Sequence, residues 1–379
     1  MTLASRFRKY SVIAAAFGIG ALYATTRGAD AGPYVQTNLV SDIAGLATIT
    51  DSNLVNPWGV SHSATSPFWV SDQNKNVSTL YNVTSAGVVK NPLTVTIPTT
   101  PSGPPQGPTG QVSNIGGSNF LVNGSPASFI FANLNGTISA WNNIPVGNTA
   151  ATIVKPSDGD VYTGLAINND RTMLYTTSAN GIDVFDGTFA EKNLGANAFQ
   201  NPFPGLVPFG VQNINGDIYV TYAVPGRAAE IAAPEGSGGV AVFDQNGNLL
   251  HTLINGSKLA SPWGITQAPS NFGPFSGDLL VGNFSFAASE INAFDPVTGA
   301  LLGTIPVDDG GNGPGGLWAL IFGNGVSGGL ANTLYFADGI AGETHGLFAA
   351  IAPVPEPSSL ALLAAALGLI AARRSRARR

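Results

Sequence analysis

Between residues 34 and 352, apolar residues come in short runs separated by turn residues, and one phrase opens such a run six times. The copies read Asn56-Pro57-Trp58-Gly59-Val60, Gly107-Pro108-Thr109-Gly110-Gln111, Val161-Tyr162-Thr163-Gly164-Leu165, Leu206-Val207-Pro208-Phe209-Gly210-Val211, Ser261-Pro262-Trp263-Gly264-Ile265 and Gly316-Leu317-Trp318-Ala319-Leu320. Glycine falls at 59, 110, 164, 210 and 264, and Ala319 takes the sixth place, in steps of 51, 54, 46, 54 and 55 residues. A second apolar run follows each phrase and ends on a small polar or aromatic residue, as in Phe68-Trp69-Val70-Ser71-Asp72 and Leu334-Tyr335-Phe336-Ala337-Asp338. A third run alternates and ends near an aromatic, as in Gly239-Val240-Ala241-Val242-Phe243-Asp244. Turn signals such as Asp244-Gln245-Asn246-Gly247-Asn248 then lead to a fourth. Four short strands repeating at about 50 residues predict an all-β fold, a six-bladed β-propeller with four-stranded blades.

The last repeat supplies only three strands after Gly316, whereas a strand-like stretch at 34–40 precedes the first repeat and has no blade of its own. An open ring would leave exposed strand edges. The N-terminal stretch is therefore expected to fill the fourth position of the sixth blade. Two stretches break the period: the Pro/Gly-rich 99–110 between blades one and two, and 225–239 inside blade four. Long loops on a propeller face are places where binding sites form.

The composition fits many tight turns, with 48 Gly, 26 Pro and 10% charged residues. There is no cysteine, which excludes disulfides, thiolate metal sites and cysteine nucleophiles. Charge is divided unevenly. Residues 32–354 hold seven Lys/Arg against 20 Asp/Glu, a net charge of −13, while nine of the 16 basic residues sit in the two tails. A body that acidic repels phosphate backbones, so a nucleic-acid partner is not expected.

The tails read as addresses. Arg6, Arg8 and Lys9 precede a short apolar stretch, and Ala29-Asp30-Ala31 offers a cleavage site, so 1–31 is expected to be a signal peptide engaging the Sec translocon. The propeller then spans 32–352. Residues 353–379 hold Pro355-Glu356-Pro357, an apolar stretch at 360–372 and a basic end beginning Arg373-Arg374. A short apolar helix followed by basic residues halts in a bilayer with its charges on the cytoplasmic side. This tail resembles the PEP-CTERM sorting signal of Gram-negative bacteria. The resemblance implies export, a transient stay in the inner membrane through 360–372, processing by an exosortase, and a final place at the cell surface or in the extracellular matrix. The repeats in turn resemble NHL-type propeller repeats, with blade one, residues 56–81, as the nearest copy. The chain as a whole is similar to bacterial proteins that pair one such propeller with a PEP-CTERM tail.

Two columns of residues are candidates for a binding site at one face. The entry phrases supply Trp58, Thr109, Thr163, Phe209, Trp263 and Trp318, and the ends of the second strands supply Asp72, Asn133, Ser178, Tyr222, Asn283 and Asp338. The second column is expected as a polar ring whose oxygens suit a hard cation such as Ca²⁺, with Asp72 and Asp338 as the metal candidates. The competing expectation is that these residues cap loops and pack between blades. No catalytic constellation is legible. His62, His251 and His345 lack metal-ligand spacing, Ser237 lies in a glycine-rich loop, and 310–316 follows no βαβ context. Six-bladed lactone hydrolases hold a channel-bound cation with acidic residues and Asn, yet the first strands here carry no Glu. The expected function is therefore an exported, non-enzymatic binding protein for an extracellular polysaccharide or protein, with no required cofactor. The alternative is a cation-dependent, lactonase-like hydrolase using Asp72, Asn133, Asn283 and Asp338.

Overall fold

The computed structural model describes residues 33–154 and 159–354. Six antiparallel sheets follow one another in sequence, each led by an innermost strand: Pro57–Ser61, Pro108–Ser113, Gly164–Ile167, Val207–Ile214, Pro262–Gln267 and Gly316–Phe322. Each innermost strand lies beside the next, and the sixth returns to the first. The protein is a six-bladed β-propeller. Blades one, two, four and five run outward through four strands in chain order.

The sixth blade closes the ring as the sequence predicts. After Gly316–Phe322, Leu334–Gly339 and Leu347–Pro353, its fourth strand is the N-terminal Tyr34–Ser41. That strand pairs antiparallel with Leu347–Pro353, from Tyr34 opposite Pro353 to Ser41 opposite Leu347. The third blade departs from the expected four strands. Its sheet stops at Gly181–Asp186, and the chain beyond makes only an isolated bridge from Glu191 to Phe185. After Lys192 the sequence runs through Asn193, Gly195, Asn197, Asn201, Pro202, Pro204 and Gly205, residues depleted in strands.

The recurring phrase has two structural roles. In blades one, two, four, five and six the pairing of first and second strands slips by a bulge at the phrase, as between Pro57 and Val60 or between Pro262 and Ile265. Proline is tolerated there because it opens the strand or sits at the bulge. The glycine then lies against the backbone of the next blade. A side-chain carbon on Gly59 would sit 2.3 Å from the Thr109 carbonyl oxygen, and one on Gly264 would sit 2.1 Å from that of Trp318.

The core is a set of seams between blades. Successive residues of a strand face opposite seams. In the second strand of blade one, Phe68 and Val70 join Tyr335 and Phe348 of blade six, while Trp69 joins Phe129 and Trp141 of blade two. The expected signal peptide and residues 355–379 lie outside the described residues. Among the described residues, no helix is long and apolar enough to cross a membrane.

Candidate functional site

The channel between the six innermost strands narrows to about 40 Å³ around Gly59, Gly110, Gly264 and Ala319. At the face where these strands begin, it is stoppered by aromatic rings. Trp58 stacks on Trp318 at 3.4 Å, Trp263 meets Trp318 edge-on at 5.6 Å, and Phe284 stacks on Trp318 at 4.4 Å. Over this stopper lies a cavity of about 760 Å³, lined from blades one, two, three, four and six.

Two short insertions build one wall. The blade-four insertion holds the helix Arg227–Ile231, tied to blade five where the Ser285 hydroxyl donates to the carbonyls of Ile231 and Ala233. The blade-six turn Ile340–Glu343 faces it, with Ala341 and Glu343 in the left-handed backbone region. Arg227 joins the two. Its guanidinium pairs with Glu343 and, at 3.6 Å, with Glu230, and its carbon lies 4.4 Å over the Phe284 ring. The Arg227 side chain is 43% exposed, so these pairs are partly screened. Burial raises the Glu230 carboxyl above its ordinary value, and the Arg227 charge opposes that shift.

The rest of the lining is amide-rich. Asn180 donates to Asp160 at 2.6 Å, Asn74 donates to the Glu343 carbonyl at 2.9 Å, and Asn56 donates to Gln73 at 2.7 Å. Leu134, Val161 and Val207 supply apolar surface. The charged residues of the lining are Asp160, Glu230 and Glu343 against Arg227.

Of the entry-phrase column, Trp58, Thr163 and Phe209 line this cavity. Trp263 and Trp318 lie in the stopper, their indole N–H groups donating to the Thr163 carbonyl at 3.0 Å and to Asn56 Oδ1 at 3.1 Å. Thr109 is buried and donates to the Tyr162 carbonyl. Trp58 differs from its two neighbours: its side chain is buried, yet its N–H has no acceptor.

None of Asp72, Asn133, Ser178, Tyr222, Asn283 and Asp338 lines the cavity; all six are buried. Alternation decides this. Each end residue shares a strand face with the residues two and four positions before it, apolar in every case but Thr176 before Ser178, and that face packs on the preceding blade. Asp72 accepts from Thr79, Asn133 donates to Thr137 and Ser139, and Asn283 bridges Ala260 and Lys258. The column therefore sits in six separate seams, instead of the open polar ring expected. Among the described residues, no three of His, Cys, Asp and Glu come together as a metal cluster.

Asp338 carries the clearest electrostatic consequence. Burial, with Asp309 nearby, pushes its carboxyl up to about 7 from an ordinary 3.8. Below pH 4 the group is protonated in both states. Between pH 4 and 7 the unfolded chain gives up this proton while the folded chain keeps it, so stability falls as pH rises through that window. The cost is at most about 4 kcal/mol at neutral pH. Asp338→Asn is expected to melt higher than the parent at pH 8 and to show no gain at pH 4. Equal melting of the two proteins at pH 8 would count against this account.

The cavity's own polar residues were not legible from the repeats, because Asp160, Asn180, Arg227, Glu230 and Glu343 lie in loops that no phrase marks. One signal was available. Arg227, Glu230 and Glu235 fall close together inside the blade-four insertion, in a body otherwise sparse in charge.

Fold and tail together define an exported β-propeller that carries a sorting signal at its C-terminus. The PEP-CTERM protein-sorting motif matches residues 353–379. The motif implies exosortase-dependent processing and a transient stay in the membrane. The chain is also similar to three uncharacterized proteins of Acanthamoeba polyphaga mimivirus. One is 28% identical over 68% of this chain and 70% of its own length. Another is 30% identical over 45% of this chain and 33% of its own, and a third is 26% identical over 68% and 66%. Among solved structures, a protein of unknown function from Bacteroides thetaiotaomicron VPI-5482 aligns with a TM-score of 0.50 and 10% identity, covering 84% of this chain and 76% of that one. This likeness is one of fold. A streptogramin B lyase structure aligns with a TM-score of 0.49 and 14% identity, over 85% and 97%.

Proposed function

We propose that this protein is a binding propeller of the cell surface or extracellular matrix, and that it holds its ligand in the cavity over the aromatic stopper. The carrying observation is the cavity itself. It is about 760 Å³, walled by five of the six blades, largely apolar, and furnished with a few converging polar groups. Its size and lining match those of small-molecule sites. The C-terminal sorting motif, which implies export, supports a role for such a cavity outside the cell. The groups lining it are amides, carboxylates and an arginine, a set suited to recognition.

Ala179 tests the reading. It is exposed on the cavity wall, in the two-residue turn between Met173–Ser178 and Gly181–Asp186. Ala179→Trp is expected to fill the cavity without touching a seam. The variant should melt with the parent but lose retention on insoluble extracellular polysaccharide from the producing cells. Undiminished retention would move the binding surface elsewhere.

A further inference from the structure

We infer that the cavity takes a neutral, hydroxyl-rich ligand, a carbohydrate residue held at the channel mouth. This rests on the reading of the cavity as the binding site and names its ligand class. Two unpartnered groups carry the argument. The Trp58 indole N–H is a donor without an acceptor in a side chain that is 4% exposed. Glu343 gives one carboxylate oxygen to Arg227, and its other oxygen, Oε1, is a buried acceptor without a donor. Both residues line the same cavity. Buried polar groups are costly to leave unpaired, so a ligand that pairs both gains from each.

Charge then narrows the class. An anion offers acceptors alone, and it meets three carboxylates of Asp160, Glu230 and Glu343 against one guanidinium. A simple cation offers donors alone and leaves the Trp58 N–H without a partner. The cation position over the Phe284 ring is also already filled by Arg227. A hydroxyl is both donor and acceptor. Sugar rings carry several hydroxyls on an apolar frame of C–H groups, and the cavity offers Leu134, Val161 and Val207 beside the amides of Asn74 and Asn180. A site built to pair hydroxyls rejects analogues that lack them, because its own groups are then left unmet.

The test titrates the mature exported chain, followed by tryptophan fluorescence and calorimetry. The probes are cellobiose, maltose, lactose and mannobiose, with glucosamine as cation, glucuronate as anion and glycylglycine as zwitterion. At least one neutral disaccharide is expected to bind with 1:1 stoichiometry, and glucuronate at least tenfold more weakly. Trp58→Phe removes the N–H and shrinks the indole to a phenyl ring; it should weaken the sugar roughly tenfold, with circular dichroism showing the fold intact at the assay temperature. Glu343→Gln turns the free acceptor into a donor of similar shape, so a sugar hydroxyl must turn round to accept from it, and binding should weaken by less than in Trp58→Phe. Saturable binding of glucosamine or glycylglycine with every neutral sugar silent would overturn the ligand class and leave the cavity reading standing. Sugar binding that Trp58→Phe and Ala179→Trp both leave intact would overturn the site as well. Silence from every probe would overturn the carbohydrate assignment.

Discussion

Deleting residues 34–41 is expected to leave a chain that no longer melts as a cooperative fold. Among the described residues, the strand Tyr34–Ser41 is what covers the Leu347–Pro353 edge, and it ties the two ends of the propeller together. Val40 is fully buried, Leu39 nearly so, and both belong to the seam between blades six and one. Tyr34 packs on Phe272 at 4.7 Å, donates to the Phe272 carbonyl and accepts from the Phe275 N–H, which fixes the strand to blade five. The Ser41 hydroxyl donates to the Gly346 carbonyl from the other end. Burial of three such side chains is worth roughly 1.5–3 kcal/mol each, and the strand ladder adds about 1 kcal/mol per hydrogen bond. The sum is on the order of 10 kcal/mol, comparable with the whole stability of a typical domain. Circular dichroism of the deleted chain should show a broad, early transition, and a synthetic peptide of residues 33–42 should restore part of the lost melting temperature. A sharp transition within a few degrees of the parent would show that the ring closes by other means.

This strand was legible because the sequence leaves a remainder. Six phrases with three strands after the last one, plus one orphan stretch before the first, admit a single closed ring. The third blade was less legible, because its phrase keeps the glycine at 164, though Tyr162-Thr163 stand where other copies have Pro-Trp, and only the weak strand content after Lys192 marks the lost strand. The second-strand ends show a different limit. Their column is regular and polar, and regularity alone cannot say whether a residue faces the channel or a seam. The strand's alternation can: Asp72 shares its face with Val70 and Phe68, and these are core residues of the seam with blade six. The cavity escapes the repeat for a physical reason. A propeller's strands must pack on identical neighbours, so they repeat, whereas the loops over its mouth answer to a ligand and do not. Arg227, Glu230 and Glu343 accordingly belong to insertions of different length in different blades.

The glycines of the phrase give the second large effect. Gly59, Gly110, Gly210 and Gly264 have none of the positive backbone angles that usually call for glycine; what they lack is space. A side-chain carbon would meet the Thr109 carbonyl at 2.3 Å, the Leu165 nitrogen at 2.2 Å, the Trp263 carbonyl at 2.2 Å and the Trp318 carbonyl at 2.1 Å. Each obstacle is backbone of the next blade, so relief requires moving one blade against another. Overpacking of this kind costs about 3 kcal/mol or more. Gly164 is different. Its nearest obstacle is the Thr177 hydroxyl at 2.8 Å, and the neighbouring backbone nitrogen, of Val211, is 3.2 Å away. A graded series follows. Gly264→Ala and Gly59→Ala should each lower the melting temperature by several degrees, and Gly164→Ala by less. Ala319, at the sixth position, shows that one blade junction in the ring accepts a methyl group. Ala319→Gly should therefore cost only the usual 0.5–1 kcal/mol of a strand glycine, roughly. Equal losses at positions 59, 164 and 264 would mean that the glycine column repeats for some reason other than the approach of neighbouring blades.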